Sequence, residues 1–324
     1  MPSLTYKGRT FTLQDQQSTL EGLENQGEVI PNSCRSGLCQ SCLMQAVSGT
    51  PTSESQQGLE ETLISQNYFL ACKCIPMEDL DVTLPTDSAV SIQTTVLGKE
   101  LLAEDVLCLR ILPQETFSCS AGQYINVVKD DLIRSYSVAN LPEVDGYLEL
   151  HIKRLPEGRM SNWLHDSIAV NDHVTIRGPA GHCFYSAVED RNFPILLAGT
   201  GTGLAPLEGI VSDALDKGHD GVITLIHGAL NKSGIYHEDK LNELAGTHHQ
   251  FTYKQSLMDS ADPANSDLNA VVRAELENLD LSRVKVYLCG APALVNKLKT
   301  QVFLQGIPSY NIFSDPFITA TTGT

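Results

Sequence analysis

From about residue 89 to 187, apolar and polar side chains alternate in short runs. Leu107-Cys108-Leu109-Arg110-Ile111, Tyr124-Ile125-Asn126-Val127-Val128 and Leu148-Glu149-Leu150-His151-Ile152 repeat every second residue, the period of a strand with one buried face. Another strand is expected at 174–176, ahead of Arg177-Gly178-Pro179, and one helix at about 160–167. Many short strands at this spacing predict an antiparallel barrel. Beyond about residue 190 the rhythm changes. Apolar runs of strand length at 195–198, 222–226, 251–254 and 284–288 alternate with helical patterns at 207–217, 239–244, 268–276 and 294–304, so parallel βαβ units are expected.

The first 85 residues read as a small α+β unit. Strands at 4–6 and 10–13 flank the turn Lys7-Gly8, and Ser18-Thr19 caps a helix through Leu20 and Leu23 that stops near Gly27. Strands at 43–47 and 80–84 complete the unit, and Pro85-Thr86-Asp87-Ser88 makes a turn-rich linker. Three domains are expected, at 1–85, 89–187 and 190–324.

A chain of 324 residues with 42% apolar and 19% charged residues has material for a sizeable core and for two or three domains. Its longest apolar stretches, such as Phe193-Pro194-Ile195-Leu196-Leu197-Ala198, are far shorter than a membrane span. The formal net charge is −17, with 4 Lys/Arg against 10 Asp/Glu in residues 1–85 and 18 against 29 in the rest. That excess argues against nucleic acid and anionic membrane as partners. The acidic first domain either steers a basic redox partner or serves solubility. Met1-Pro2-Ser3-Leu4-Thr5-Tyr6-Lys7 lacks the regions of a secretory signal, so a reducing cytoplasm is expected for the nine cysteines.

Four of those cysteines carry the strongest chemistry. Cys34, Cys39 and Cys42 spell C-x4-C-x2-C, and Cys72 follows after 29 residues, the ligand spacing of a plant-type 2Fe–2S cluster. Small polar residues between them leave backbone N–H groups free to turn toward sulfur. A zinc site would pair two short hooks, and only Cys39/Cys42 has that form. A disulfide framework would need an oxidising compartment. Cys74 is the rival for fourth ligand and is expected to face away from Cys72.

Three further motifs bear on cofactors. Arg134-Ser135-Tyr136-Ser137 places a cation and a phenol ring on one face of a strand, where the first can pair with phosphate and the second pack on a flat heterocycle. Gly158-Arg159-Met160-Ser161-Asn162-Trp163-Leu164 reads as a turn feeding a helix whose free N–H groups suit a pyrophosphate, or simply as a capped helix. Leu197-Ala198-Gly199-Thr200-Gly201-Thr202-Gly203-Leu204-Ala205-Pro206 is a strand, a glycine loop and a helix start, with Pro206 where a Rossmann fingerprint has its third glycine. Near the end, Tyr287-Leu288-Cys289-Gly290-Ala291-Pro292 puts a thiol at the mouth of an expected parallel strand. A buried Cys is more often a small hydrophobe.

R-x-Y-S and G-x-x-S-x-x-L, 21 residues apart from Ser137 to Gly158, resemble the FAD domain of the ferredoxin–NADP reductase superfamily, and G-x-G-x-x-P and Cys-Gly resemble its nucleotide domain. With the cysteine loop in front, nearly the whole chain resembles the NAD(P)H-dependent reductase components of bacterial multicomponent oxygenases. Leu70-Ala71 before Cys72 resembles the approach to the last ligand in their ferredoxin domains. The resemblance implies a β-grasp ferredoxin domain, an antiparallel β-barrel FAD domain and a parallel-sheet nucleotide-binding domain. It assigns Arg134, Tyr136, Ser137 and Val138 to the flavin and its phosphates, the strand His151-Ile152-Lys153 to the edge of the FAD site, and Gly158, Met160 and Ser161 to the diphosphate. It assigns Gly199, Thr200, Gly201, Thr202, Gly203 and Pro206, with Gly290, Ala291 and Pro292, to the nicotinamide nucleotide, and sets Cys289 beside its ring. Phe317 would cover the flavin face or else pack in the core. His151 could instead be a surface residue of an alternating strand.

The expected activity passes electrons from NAD(P)H through FAD and the cluster to a terminal oxygenase or its ferredoxin. The alternatives are a slow redox-sensing or interaction module, or a reductase for a non-oxygenase acceptor. Two positions depart from the family pattern. Gln40 stands where many relatives have Gly, and Leu230 where many have Arg, leaving Lys232 as the nearby cation. Without Arg a 2′-phosphate loses bidentate recognition, so NADH is expected over NADPH.

Overall fold

A computed structural model describes residues 2–32, 34–59, 61–85, 91–130, 132–186, 190–262 and 266–318. Thr86, Asp87 and Ser88 of the expected linker lie outside them. The first domain is a mixed sheet of β1 (Ser3–Tyr6), β2 (Arg9–Thr12), β3 (Leu43–Ser48), β4 (Tyr68–Leu70) and β5 (Leu80–Thr83), in the order β2-β1-β5-β3-β4. A helix, Thr19–Asn25, buries Leu20 and Leu23 in the core with Tyr6, Met44 and Phe69. Its start is fixed by a reciprocal capping box: the Glu21 amide donates to Ser18 Oγ at 3.3 Å, and the Ser18 amide donates to Glu21 Oε2 at 3.0 Å. This sheet with its packed helix is the β-grasp arrangement.

The second domain is a six-stranded antiparallel sheet of β6 (Ile92–Ala103), β7 (Val106–Pro113), β8 (Tyr124–Lys129), β9 (Leu132–Ser137), β10 (Leu148–Lys153) and β11 (His173–Ala180), ordered β10-β7-β6-β11-β8-β9. A bridge from Val138 to Leu150 joins the two edges and closes a barrel, which removes the exposed sheet edges. The alternation seen in the sequence fills its interior: Leu107, Leu109 and Ile111, Ile125 and Val127, and Leu148, Leu150 and Ile152 share one core.

In the third domain five parallel strands, β12 (Ile195–Thr200), β13 (Ile223–Ala229), β14 (Phe251–Leu257), β15 (Lys285–Gly290) and β16 (Ile312–Pro316), lie in the order β14-β13-β12-β15-β16. Successive residues of β12 serve different cores. Ile195 and Leu197 pack on one face and Leu196 and Ala198 on the other, as a sheet covered on both sides requires. The chain reverses its winding between β12 and β15, so their carboxyl ends flank the crevice where open α/β sheets take ligands.

Several details differ from the sequence reading. β4, β6 and β16 are strands that it leaves unassigned, and two helices begin earlier than expected, at Leu204 and Pro292. Cys74 does part from Cys72, but not through strand geometry, which would put residues two apart on one face. The chain turns at this point: the amides of Lys73 and Cys74 both donate to Leu70 O, at 2.9 and 3.1 Å, and Cys74 is carried into the core.

Candidate functional site

The cysteine loop brings its sulfurs together in two pairs. Cys34 faces Cys39 and Cys42 faces Cys72, each contact holding one thiol (Cys34, Cys72) below the ordinary range and pushing its partner up. Backbone amides turn toward sulfur: those of Ser36 and Cys39 donate to Cys34 Sγ at 3.4 and 3.2 Å, and that of Cys34 to Cys39 Sγ at 3.4 Å. Two irons sharing two sulfides need two thiolates each, with donors to spread the negative charge. The four cysteines fit that group. Gln40 has a left-handed backbone, φ 55°, and its Nε2 donates to Gly58 O at 2.8 Å.

This loop sits on the barrel. Tyr124 donates its hydroxyl to Leu38 O, and Asn126 Nδ2 donates to Cys39 O at 3.0 Å. Asn126 Oδ1 in turn accepts from Ser135 Oγ at 2.7 Å, so the loop is tied through β8 to the strand carrying Arg134, Tyr136 and Ser137.

One cavity of 2170 Å³ opens to all three domains. Among the residues expected at the cofactor sites, it is lined by Cys34, Cys39, Arg134, Tyr136, Ser137, His151, Lys153, Gly158, Met160, Ser161, Thr200, Gly201, Thr202, Gly290, Ala291, Pro292 and Phe317. Cys42, Cys72, Val138, Ile152, Gly199, Gly203, Pro206 and Cys289 stand behind that wall. The side chains of Val138 and Ile152 point into the barrel core, so they offer a ligand only backbone.

The walls fit a dinucleotide at both ends. The helix Arg159–Asp166 has no side chain capping its N-terminus, and its N-cap is Gly158, where a Cβ would stand 2.4 Å from Ser161 Oγ. Ser161 Oγ accepts from the Leu155 amide at 3.1 Å and donates to Gly158 O at 3.2 Å, so its hydroxyl holds the turn and does not cap the helix, whose N-terminal end suits an anion. Across the cavity, Gly203 precedes the helix Leu204–Asp216, likewise uncapped by a side chain. A Cβ on Gly203 would lie 2.4 Å from Cys289 O. Gly201 has φ 55° with open space where a Cβ would project, so backbone there is free to approach a phosphate closely.

Cys289 is the penultimate residue of β15, and its register partner on β16 is Asp315. Ser137 Oγ of the barrel donates to Asp315 Oδ2 at 3.2 Å, and the amide of Phe317 donates to Gly290 O at 2.8 Å. Burial pushes the Asp315 carboxyl up to about 6, against the lowering effect of Ser137. Asp315 was missed in the sequence; its signal was an acid in the terminal Ser314-Asp315-Pro316, beside the aromatic Phe317. Phe313 stacks on Tyr287 with ring centroids 4.8 Å apart.

His151 is not a surface residue. It is 4% exposed because the third domain covers the polar face of β10. His151 Nδ1 and the Tyr236 hydroxyl are 3.1 Å apart, and Nε2 is 3.3 Å from Glu149 Oε1. Arg110 Nε donates to Glu149 Oε2 at 2.7 Å. Burial alone would raise the Glu149 carboxyl, but His151 and Arg110 hold it well below the usual range. Nearby, His237 and Lys240 hold the buried Glu208 down in the same way.

Residues 4–77 match the 2Fe-2S iron-sulfur cluster binding domain, 93–185 the oxidoreductase FAD-binding domain and 197–300 the oxidoreductase NAD-binding domain. The chain is 30% identical over 308 residues to the ferredoxin–NAD(P)(+) reductase component of the naphthalene 1,2-dioxygenase system of Pseudomonas putida, covering 92% of each. It is 32% identical over 305 residues to the reductase subunit of an aromatic O-demethylase of Amycolatopsis, covering 89% of this chain and 90% of that one. Among solved structures, the Amycolatopsis cytochrome P450 reductase GcoB superposes with a TM-score of 0.68 at 29% identity, over 98% of this chain and 99% of that one.

Two expected outcomes follow from the geometry. Asn126→Ala and Tyr124→Phe each remove one hydrogen bond seating the cluster loop, worth about 1 kcal/mol or roughly fivefold in seated population. NADH-driven cytochrome c reduction should slow by up to that factor while ferricyanide reduction holds; unchanged cytochrome c rates in both variants would remove the loop contact from the electron route. For Asp315, a folded-state value raised from 3.8 to about 6 means the neutral acid favours the fold. That stability is present at low pH and is lost as pH rises through about 6. Asp315→Asn should therefore stabilise the fold at pH 8 by on the order of 3 kcal/mol, raising the melting temperature there, and leave it nearly unchanged at pH 3, below both values. A gain at pH 3 as large as that at pH 8 would contradict the assignment.

With three matched domains in this order and relatives aligned along nearly its whole length, the chain belongs to the ferredoxin–NAD(P)+ reductase family, in the branch that carries its own 2Fe–2S domain.

Proposed function

We propose that this protein draws electrons from NADH and delivers them singly to the terminal oxygenase, or its ferredoxin, of an aromatic-oxidising system. A flavin supplies the exchange between a two-electron hydride and single electrons, and a 2Fe–2S cluster carries those electrons one at a time. In this reading Arg134 and the amides after Gly158 hold the flavin's phosphates, and Tyr136 and Phe317 flank its ring. The glycine loop Gly199–Gly203 and the Gly290-Ala291-Pro292 turn hold the nicotinamide nucleotide, with Cys289 at the ring and Pro206 fixing the first helical turn. Cys34, Cys39, Cys42 and Cys72 hold the cluster. The observation that carries the reading is the seating of Leu38 and Cys39 on β8, which puts the cysteine loop on the wall of the same cavity as the two glycine-rich turns.

Among the described residues no helix is long and apolar enough to cross a membrane. Cysteines that form no disulfide among the described residues, together with a nicotinamide substrate, support a cytoplasmic placement. The oxygenase partner is supported by the relatives' roles in the naphthalene dioxygenase and aromatic O-demethylase systems.

The choice of NADH rests on the end of β13. Leu230 is exposed there, and the nearby cation Lys232 is already engaged, paired with Glu238 and donating to Gln255 Oε1 at 3.0 Å. Little positive charge is left for a 2′-phosphate.

The purified holoprotein should reduce ferricyanide and cytochrome c with NADH. Cys34→Ser should keep the first activity and lose most of the second, because only the second needs the cluster. A holoprotein with flavin bound that reduces neither acceptor would end the proposal. For the coenzyme, kcat/KM for NADH should exceed that for NADPH by about tenfold or more, the cost of one missing charge-assisted phosphate contact. Leu230→Arg combined with Glu238→Gln should narrow the gap, and equal use of both coenzymes by the unaltered protein would count against the assignment.

A further inference from the structure

Cys183 and Cys289 come from different domains and meet at the cavity. Cys183 lies just beyond β11 at the barrel's exit, and Cys289 is the penultimate residue of β15. They are 106 residues apart in the chain, yet their sulfurs are 3.6 Å apart. Their approach is imposed by packing on both sides. A Cβ on Gly122 would stand 2.4 Å from Cys183 O, and one on Gly203 would stand 2.4 Å from Cys289 O. Glycines therefore press on both backbones. Both residues are buried, Cys183 to 5% and Cys289 to 1% exposure, but Cys183 lines the cavity and Cys289 stands behind it.

We infer that Cys183 and Cys289 form a reversible dithiol–disulfide pair that closes the nicotinamide end of the cavity when it is oxidised. A disulfide needs its sulfurs at about 2.05 Å, so the pair, at 3.6 Å, has about 1.6 Å to close. Burial, then contact with Cys183, holds the Cys289 proton in place, leaving Cys183 as the sulfur that meets an oxidant from the cavity. The oxidant is hydrogen peroxide. The Cys183 sulfur attacks one peroxide oxygen, the O–O bond breaks, water leaves and a sulfenic acid forms. The Cys289 sulfur then attacks Cys183, the S–O bond breaks, the S–S bond forms and a second water leaves. Two thiols lose two electrons and two protons, and one peroxide becomes two waters.

The closure takes up the thiol that the proposed function sets beside the nicotinamide ring, and the loss of activity rests on that reading; formation of the bond does not. Of the four cluster cysteines, Cys34 and Cys39 line the cavity from the ferredoxin domain and Cys42 and Cys72 stand behind them, so the cluster's visible spectrum follows one chemistry and the peptide map the other.

The test exposes the holoprotein to graded hydrogen peroxide, follows NADH-driven ferricyanide reduction, and records the visible spectrum of the cluster. A peptide map without reductant should show Cys183 joined to Cys289, two hydrogens lighter than the separate thiols. Ferricyanide reduction should fall about tenfold or more while the cluster spectrum persists, and dithiothreitol should restore it. Cys183→Ser and Cys183→Ala, made in parallel so that one folded variant suffices, should keep their activity at the same peroxide dose. Absence of the joined peptide, or inactivation of both variants as fast as the parent, would overturn the inference. If the joined peptide forms and ferricyanide reduction continues, the closure is overturned together with the placement of the nicotinamide at Cys289, while NADH-dependent electron transfer stands.

Discussion

Electron transfer between cofactors falls off steeply with distance, so a chain that carries a flavin and a cluster on separate domains must hold them in contact. Here that constraint comes down to two peptide carbonyls. Leu38 O and Cys39 O, inside the cysteine loop, accept from Tyr124 and Asn126 of β8. The donors are side chains and the acceptors are backbone, so the seat depends on the shape of the loop more than on its side chains. That shape is set by the amides that turn toward Cys34 and Cys39. The fold that suits a metal cluster and the fold that suits docking are one and the same loop.

The second junction, between barrel and nucleotide domain, works differently. It buries two carboxylates, Glu149 and Glu208, and the imidazole of His151, all nearly inaccessible. Such groups are costly to desolvate unless each is paired, and here each is. Arg110 and His151 satisfy Glu149, Tyr236 meets the far side of His151, and His237 and Lys240 satisfy Glu208. An apolar interface of the same size would tolerate sliding, whereas a polar network loses hydrogen bonds with any change of register. We read this as the reason the ends of β12 and β15 keep a fixed position against β9, where Ser137 reaches Asp315. His237 carries a left-handed backbone, φ 54°, a strain of the kind that persists where side-chain contacts over-determine a residue.

What the sequence disclosed and what it withheld follow from the range of the interactions. Cysteine spacing, the glycine loop and strand alternation are local, fixed by ligand geometry, by close backbone approach and by a period of two, and all of them were readable. β6 escaped because its first third, Ile92-Gln93-Thr94-Thr95, carries a single apolar residue, its pairing with β7 and β11 being supplied from elsewhere in the chain. β16 escaped because Ser314-Asp315-Pro316 reads as a turn. Proline is tolerated there because β16 is an edge strand. Tyr124, Asn126, Asp315 and Cys183 join partners 86 or more residues away, and no local pattern marks such a residue. His151 shows the limit of alternation most clearly. The polar face of a strand is exposed only while nothing packs on it.

Gln40 unites the two kinds of constraint. The family this chain resembles often has glycine there, and the structure shows why: the position is left-handed, at φ 55°, which costs a residue with a Cβ about 1 kcal/mol. The side chain offsets part of that cost, because Gln40 Nε2 donates to Gly58 O at 2.8 Å. A glycine would adopt the backbone without strain but could make no such bond. The residue before it is Cys39, whose carbonyl accepts from Asn126. The peptide joining 39 and 40 is thereby gripped from both sides, by the barrel through its oxygen and by the ferredoxin domain through the next side chain. The departure at Gln40 exchanges backbone freedom for a loop tied at the point where it meets the barrel, and that is where freedom would do most harm to a fixed distance between cofactors.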